Sequence, residues 1–141
     1  MEKCEGILTE AIGRLVGDIT CVRMRTQTDV EVSREKGIRP LLLWLEEDGD
    51  ALRGAVIADR IVGRAAAFLA VFGGASAVYG EVMSSGAVSV LEEAGLLYSY
   101  GTCTERIINR KGDGPCPMEQ AVADVTDPAQ AVRILHAKVL G

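Results

Sequence analysis

The sequence predicts a single layered α/β domain spanning residues 1–141, and three observations favour this fold class. The chain is long enough to bury roughly two thirds of its unfolded surface around one core. Segments with helical spacing of apolar residues alternate with short apolar runs typical of strands. The stretch Gly54–Gly95 shows this most clearly, as strand, helix, strand, helix. We therefore predict a three-layer α/β/α sandwich around a mixed sheet of about five strands, with right-handed crossovers between parallel strands.

The N-terminal third predicts a helix, a hairpin and a second helix. Residues 2–16 have apolar side chains at helical spacing. The runs 19–25 and 30–32 are separated by a short polar turn, which favours two strands joined as a hairpin. The second helix covers 41–47 and follows Pro40, because proline is favoured near the start of a helix.

The remaining segments are predicted to alternate between strands and helices and to end in two short helices. They are the strand 54–58, the helix 62–72, the strand 77–83, the helix 87–94, the strand 96–100 and the helices 118–125 and 128–140. Ser84 or Ser85 caps the helix 87–94, and Asp127 caps the last one. The segment 102–110 is either a strand or a loop.

Composition excludes several classes of partner. A formal net charge of −5 argues against binding to nucleic acid or to an anionic membrane, which both require a basic surface. The longest uncharged stretch, 65–80, is too short and too rich in small residues to span a bilayer. We expect a cytoplasmic protein. Its four cysteines include no C-x-x-C pair, and disulfides are not expected in that compartment.

Three groups of residues resemble a known family. They are Gly37-Ile38-Arg39-Pro40-Leu41, the run from Ala58 to Ala67 (ADRIVGRAAA), and Ile108-Asn109-Arg110 with Cys116-Pro117-Met118-Glu119. These motifs resemble a small prokaryotic family, domain of unknown function 1893, which is placed in the cytidine-deaminase-like fold. The order of helix, hairpin and three strand–helix alternations is also similar to that fold. The resemblance therefore implies a deaminase-like domain.

Zinc deaminases of this fold place H-A-E or C-A-E at the start of the second helix and P-C-x-x-C at the start of the third. Here the corresponding positions, 37–39 and 59–62, contain no set of metal ligands, and the chain has a single histidine, His136. The run 115–118 begins like P-C-x-x-C, but Glu119 replaces the second cysteine and the run follows the fifth strand. Because a tetrahedral zinc site needs three protein ligands besides water, we predict no zinc and no other cofactor.

A ligand site is predicted where strands end and helices begin, because anions bind at helix N-termini along that edge of a sheet. Asp59, Arg60, Gly63 and Arg64 occupy one such turn, with Gly63 allowing close approach and the arginines able to bind a phosphate. Alternatively, Asp59 merely caps the helix and the arginines are solvated. The pair 84–85, Ser84 and Ser85, either completes a composite anion pocket with Asp59 and Arg60 or only caps its own helix.

Further candidates extend this site. Arg39 stands where a deaminase would hold its proton shuttle, and it either faces the ligand or simply belongs to a helix start. Asn109, Arg110, Cys116 and Glu119 follow the last core strand and would fold back over the same edge. Cys116 is a reactive thiol if an arginine lowers its pKa; otherwise it is a structural loop cysteine.

Three functions are compatible with these features. The first is binding of a nucleotide, an ADP-ribose-like molecule or another phosphorylated small molecule, without nucleic-acid or membrane partners. The second is a non-catalytic interaction or scaffold protein, a homodimer or higher homo-oligomer, that packs through the Ala/Gly-rich helix 65–74. The third is a metal-free enzyme that uses Asp59 and Cys116, which requires the two side chains to lie close together.

Overall fold

A computed structural model of the chain describes residues 2–108, 112, 114 and 116–141, with side chains from residue 6 onward. Within these residues, helices and strands follow one another in the predicted order. The helices are α1 (Glu2–Gly13), α2 (Arg39–Glu47), α3 (Arg64–Gly73), α4 (Ser85–Glu93), α5 (Pro117–Ala121) and α6 (Pro128–Val139). The strands are β1 (Cys21–Met24), β2 (Val30–Ser33), β3 (Val56–Val62), β4 (Ala77–Ser84) and β5 (Leu97–Thr104).

The described strands form one mixed sheet of five strands in the order β2-β1-β3-β4-β5. Strand β1 is antiparallel to β2 and to β3, whereas β3, β4 and β5 run parallel. The register places Cys21 beside Asp59 on β1 and β3, and Gly80 beside Asp59 on β4. The predictions of a mixed five-stranded sheet and of an N-terminal hairpin are confirmed.

Helices cover both faces of the sheet, and each face has its own core. Helix α1 packs over Val22, Val56 and Ala58, while the other helices pack on the opposite face against Cys21 and Ile57. Successive side chains of a strand alternate between its two faces, so neighbouring residues near the end of β3 lie on opposite faces of the sheet. Asp59 lies on the face with several helices, and Arg60 lies on the face covered by α1.

Strand β3 is longer than predicted, and α3 begins later. The strand continues to Val62, which pairs with Met83 of β4, and the helix starts at Arg64 where we expected it from residue 62. The β-branched side chains of Ile61 and Val62 favour the extended conformation. Asp59 therefore lies inside a strand. The prediction of a turn at Asp59, and with it the alternative that Asp59 caps the helix, is wrong.

Helix α3 is buried within the chain. It lies against α2, α4 and α6, and the six residues Ala65–Ala70 are all buried. Its small side chains allow close approach, since the side chain of Leu52 fills the space beside Gly73. Residues 65–70 of the helix that was expected to meet a second copy are thus covered by the chain's own helices, whereas Phe72 on the same helix is 50% exposed.

From α4 onward, the predicted helix caps are observed, whereas the lengths of several elements differ from the prediction. The backbone N–H of Ala87 donates to Ser84 Oγ at 3.1 Å, and that of Gln130 donates to Asp127 at 3.2 Å, so both predicted caps are confirmed. Strand β5 runs on to Thr104, which makes the start of the segment 102–110 a strand. In the described part of the chain, no helix has the length and apolar character needed to cross a bilayer.

Candidate functional site

The described residues line an open cleft of about 1120 Å³ at the carboxyl end of β3. One wall is the charged segment 34–39, which leads into α2. The other wall is formed by Ile107, Ile108 and the residues 116–119 at the start of α5, and Asp59 lies between the walls. This is the end of the strands at which ligands of α/β sheets bind, and it is the edge at which the sequence predicts a site.

Asp59 is the buried polar group of the cleft, with 5% of its surface exposed. Burial raises the pKa of its carboxyl group to about 7. Hydrogen bonds from the Cys21 thiol and from the backbone N–H groups of Ile61 and Arg60 favour the charged carboxylate and offset part of this increase in pKa. Burial, and next the charge of Asp59, raise the pKa of the Cys21 thiol well above its usual value, so this thiol remains protonated. Near neutral pH, Asp59 can either accept or donate a hydrogen bond.

The N-terminus of α3 is occupied by a carboxylate of the chain itself. Glu119 accepts hydrogen bonds from the backbone N–H groups of Arg64, at 2.6 Å, and of Ala65, at 2.9 Å. A side chain at Gly63 would collide with this carboxylate. Gly63 therefore does allow an anion to approach the helix, as predicted, but the anion is Glu119. A ligand phosphate would have to displace it to bind there.

Arg64 is engaged in holding the C-terminal segment. Its guanidinium group donates to the carbonyl oxygens of Val122, at 2.9 Å, and Val125, and it lies 4.9 Å from the ring centre of Phe68. Arg64 lies outside the lining of the cleft. In this arrangement its side chain stabilises the connection between α5 and α6, which corrects the expectation that it faces a ligand.

Arg60 contributes to the cleft lining, but its guanidinium group is bound on the α1 side of the sheet. It donates to the carbonyl oxygens of Gly17 and Ile19, each at 3.0 Å, and pairs with Glu81 at 2.7 Å. These contacts attach the loop after α1 to β3 and β4. The alternation of side chains along β3 therefore directs the guanidinium group of Arg60 away from the Asp59 carboxyl group, although both residues line the cleft.

The serines lie outside the cleft as well. Ser84 is buried as the cap of α4, and the Ser85 hydroxyl donates to the carbonyl oxygen of Glu105 at 3.3 Å. Neither lines the cleft that contains Asp59. Of the two alternatives for this pair, capping describes Ser84, and the composite pocket is not formed in this structure.

Three basic residues, Arg34, Lys36 and Arg39, lie along the rim of the cleft. Arg39 pairs with Glu35 and Arg34 pairs with Asp18, each at 2.9 Å, and all four of these side chains are exposed. Exposed ion pairs contribute only about 0–1 kcal/mol. A bound anion can therefore replace these carboxylates as the partner of the arginines at little cost.

The segment after β5 supplies the second wall. Cys116 lines the cleft as a free thiol, and its backbone N–H donates to the carbonyl oxygen of Ile107 at 3.0 Å. Asp59 and Cys116 thus border the same cleft, although the described hydrogen bond of Asp59 to a thiol involves Cys21. The predicted site residues Asn109 and Arg110 lie outside the described residues.

Among the residues whose side chains are described, no three His, Cys, Asp or Glu side chains come together as ligands of a metal ion would. The histidine of the chain, His136, lies on α6 beside the carboxylate of Glu46.

The structure therefore brings one group of predicted site residues to a single cleft at the carboxyl end of β3: Arg39, Asp59, Arg60, Gly63 and Cys116. Sequence reasoning missed Arg34 and Lys36, and it placed Glu119 at this edge without recognising it as the cap of α3. The charged run Arg34-Glu35-Lys36 before the predicted start of α2 was a visible signal for the rim. Glu119 had no local signal as a helix cap, since it lies more than fifty residues from the N–H groups that it binds.

Comparison with known proteins identifies the family to which this chain belongs. Residues 15–139 match the family described as a domain of unknown function, DUF1893 (TM1506). The chain belongs to the DUF1893 family. All residues that line the cleft of this DUF1893 protein, from Thr20 to Val139, lie within the matched range.

A solved structure with the same fold is the crystal structure of a DUF1893 family protein (TM1506) from Thermotoga maritima. It is 24% identical to this chain, with a TM-score of 0.84, over 95% of this chain and 90% of that one. At this level of identity the likeness establishes the fold alone. No curated protein matches this DUF1893 chain.

Proposed function

We propose that this DUF1893 protein has a cytidine-deaminase-like fold and binds a nucleotide, or a similar phosphorylated small molecule, in the cleft beside Asp59. The observation that carries this proposal is a buried carboxyl group at the base of a cleft whose rim is basic. Buried ionisable groups with shifted pKa values are concentrated at functional sites, because burying them lowers stability. Structural roles perturb pKa values too, but here the group opens onto a cleft.

The walls of the cleft suit a flat apolar ring. Ile61 and Ile108 both line it, and each is 52% exposed, although isoleucine is among the residues most often buried. Ile38 and Met118 add to this apolar lining. Binding sites for small molecules combine such walls with a few polar groups and have volumes of about 300–1,000 Å³. The cleft can accommodate a nucleoside-sized ligand.

The anionic part of the ligand is proposed to bind at the start of α2, because Glu119 fills the equivalent position at α3. No described side chain caps the N-terminus of α2. The positive end of the helix dipole attracts an anion there, although Arg39 donates its N–H to the carbonyl oxygen of Lys36 and Pro40 has no N–H to offer. Lys36 and Arg39 flank this end of the helix, and Gly37 between them has a φ of +61°, which glycine adopts without strain. A phosphate there would receive charge-assisted hydrogen bonds from both side chains.

Asp59 is proposed to select the ring or sugar of the ligand. A carboxyl group with a pKa near 7 can accept hydrogen bonds from sugar hydroxyls or from an amino group of a base. In its protonated form it donates to a ring nitrogen. A ligand without a matching partner would desolvate the carboxyl group further without adding a hydrogen bond, which costs about 1–3 kcal/mol.

The proposal is tested by thermal-shift and calorimetric titrations with AMP, ADP, ADP-ribose, ribose 5-phosphate and inorganic phosphate. We expect at least one nucleotide to raise the melting temperature more than phosphate does. In the double variant Lys36→Ala/Arg39→Ala, the affinity for that nucleotide should fall by about tenfold or more, since hydrogen bonds to charged groups contribute about 1.5–3 kcal/mol each.

The matched control is Arg14→Ala/Arg53→Ala, which removes two exposed cations outside the cleft. It should leave the affinity almost unchanged. Equal losses in both double variants would mean that only the net charge matters, and they would contradict a defined site. The proposal also fails if neither the nucleotides nor phosphate changes the melting temperature.

A further inference from the structure

Strand β5 forms an open edge of the sheet. Within the described chain it pairs with β4 alone, in register along its full length from Leu97 to Thr104. Backbone N–H and C=O groups on the outer side of an edge strand are free to pair with another strand. An edge of eight residues is about 26 Å long. This length is sufficient for extended pairing between two chains.

The opposite edge has the features with which proteins prevent such pairing, and β5 has none of them. Strand β2 is only four residues long, contains the exposed Glu31, and is followed by Arg34 and Glu35. Short length, charged side chains and proline protect an edge strand from other strands. The sequence of β5, LYSYGTCT, contains neither a charged residue nor a proline. Since β2 is protected against pairing with another strand, the lack of such protection at β5 indicates that this edge can pair.

Both faces beside the β5 edge expose neutral groups. Tyr100 is 45% exposed and Leu97 is 43% exposed. Cys103 is exposed as well, and it points to the opposite face from Thr102 because neighbouring side chains alternate. By the same alternation Leu97 and Tyr100 lie on opposite faces, so each face of this edge exposes one large apolar side chain, and the strand itself has no charged residue.

The absence of charge identifies a second copy of the chain as the fitting partner. Two identical edges pair antiparallel around a two-fold axis, so residues near the axis face their own counterparts. A charged side chain there would face a like charge, which is destabilising across a strand pair. A neutral strand has no such repulsion. We propose that the protein is a homodimer in which the two β5 strands pair antiparallel and join the two sheets into one.

The test measures molecular mass by light scattering and sedimentation across micromolar concentrations. The wild-type chain is expected to have the mass of a dimer. In Thr102→Lys, a charged side chain of the kind that protects edge strands is placed within the strand pair, and the mass should fall to that of the monomer. Cys103→Lys places the charge on the other face of the same strand and should have the same effect, so a folding defect in one variant does not prevent the test.

The matched control is Val32→Lys, which introduces the same charge at an exposed position of the opposite edge strand. This variant should remain a dimer, and circular dichroism should show that all three variants are folded. A monomeric wild-type chain overturns the proposal and leaves the edge open to a strand from a different protein. A dimer that persists in both folded β5 variants overturns it equally, because the interface would then lie elsewhere.

Discussion

At the scale of single residues, Asp59 is a carboxyl group whose charged form is disfavoured by burial. Its ordinary pKa is 3.8, and burial raises it to about 7 in the folded chain. The Cys21 thiol and two backbone N–H groups offset only part of the desolvation. Stability is often lower than it could be where a residue serves a binding site. The position of Asp59 is therefore unfavourable for the fold, and it suits the ligand site that we propose.

This position predicts a pH dependence. The folded chain binds the proton of Asp59 more tightly than the unfolded chain, so its contribution is full below a pH of about 4 and is lost as the pH rises through about 7. In Asp59→Asn this loss disappears. Between about pH 5 and about pH 8, the free energy of unfolding of the variant should therefore rise relative to wild type by about 2–3 kcal/mol. Urea unfolding at several pH values measures this difference.

Asp124→Asn serves as the control, because Asp124 is exposed and lies outside the cleft. Its stability relative to wild type should be nearly independent of pH in this range. A parallel pH dependence for wild type and Asp59→Asn would show that the Asp59 carboxyl group titrates near its ordinary pKa in the folded chain.

At the scale of elements, the start of α3 is stabilised by a different helix. Gly63, the residue before α3, has no side chain to offer as a cap, and the carboxylate of Glu119 from α5 takes that role. A carboxylate at this end of a helix is favoured by the helix dipole and by the free N–H groups. The same contact attaches the second wall of the cleft to the sheet, so capping and the shape of the site are coupled.

This coupling predicts a non-additive pair of substitutions. Glu119→Ala should lower the free energy of unfolding by about 1–2 kcal/mol, as loss of a cap does. Gly63→Ala should destabilise wild type because its methyl group displaces the Glu119 carboxylate. In the Glu119→Ala background the same change should cost less, because only the preference for Gly over Ala at the residue before a helix remains. A double-mutant cycle by chemical denaturation measures this interaction.

Gly86→Ala is the matched control at the start of α4, where a methyl group would make only ordinary contacts of 3.7–3.9 Å with Arg64 and Ser84. It should be tolerated in both backgrounds. Additive effects of Gly63→Ala and Glu119→Ala would show that the two residues do not interact.

At the scale of the whole molecule, one sheet connects two cores. The core under α1 contains Val56 and Ala58, and the core on the other face contains Ile57 from the same strand. Because both cores depend on β3, loss of one should remove support from the other. The chain is also of a size at which single domains usually unfold in one step.

We therefore predict one cooperative unfolding transition. Trp44, the tryptophan of the chain, lies buried in α2 and reports on the larger core by fluorescence. Far-UV circular dichroism reports on all helices, including α1 on the opposite face. The two signals should give the same midpoint in urea. A circular dichroism transition at a lower urea concentration than the fluorescence transition would show that α1 and its core unfold independently.

Much of the fold was predictable because local patterns specify it. Helical spacing identified α1 and α6, the alternating runs identified the hairpin, and Ser84 and Asp127 were recognised as caps. The boundary between β3 and α3 was predicted too early. Small residues such as Ala65–Ala67 favour a helix, and their local pattern does not show where pairing with β4 ends.

The sequence by itself determined the order of elements, the mixed sheet and the edge at which the cleft lies, because periodicity and caps act over a few residues. Only the tertiary structure decided which groups face the cleft. Strand alternation directs Asp59 inward and Arg60 to the α1 side, and Glu119 reaches the start of α3 from a distant part of the chain. Such contacts depend on how elements pack together, and no pattern within a short stretch of sequence specifies them.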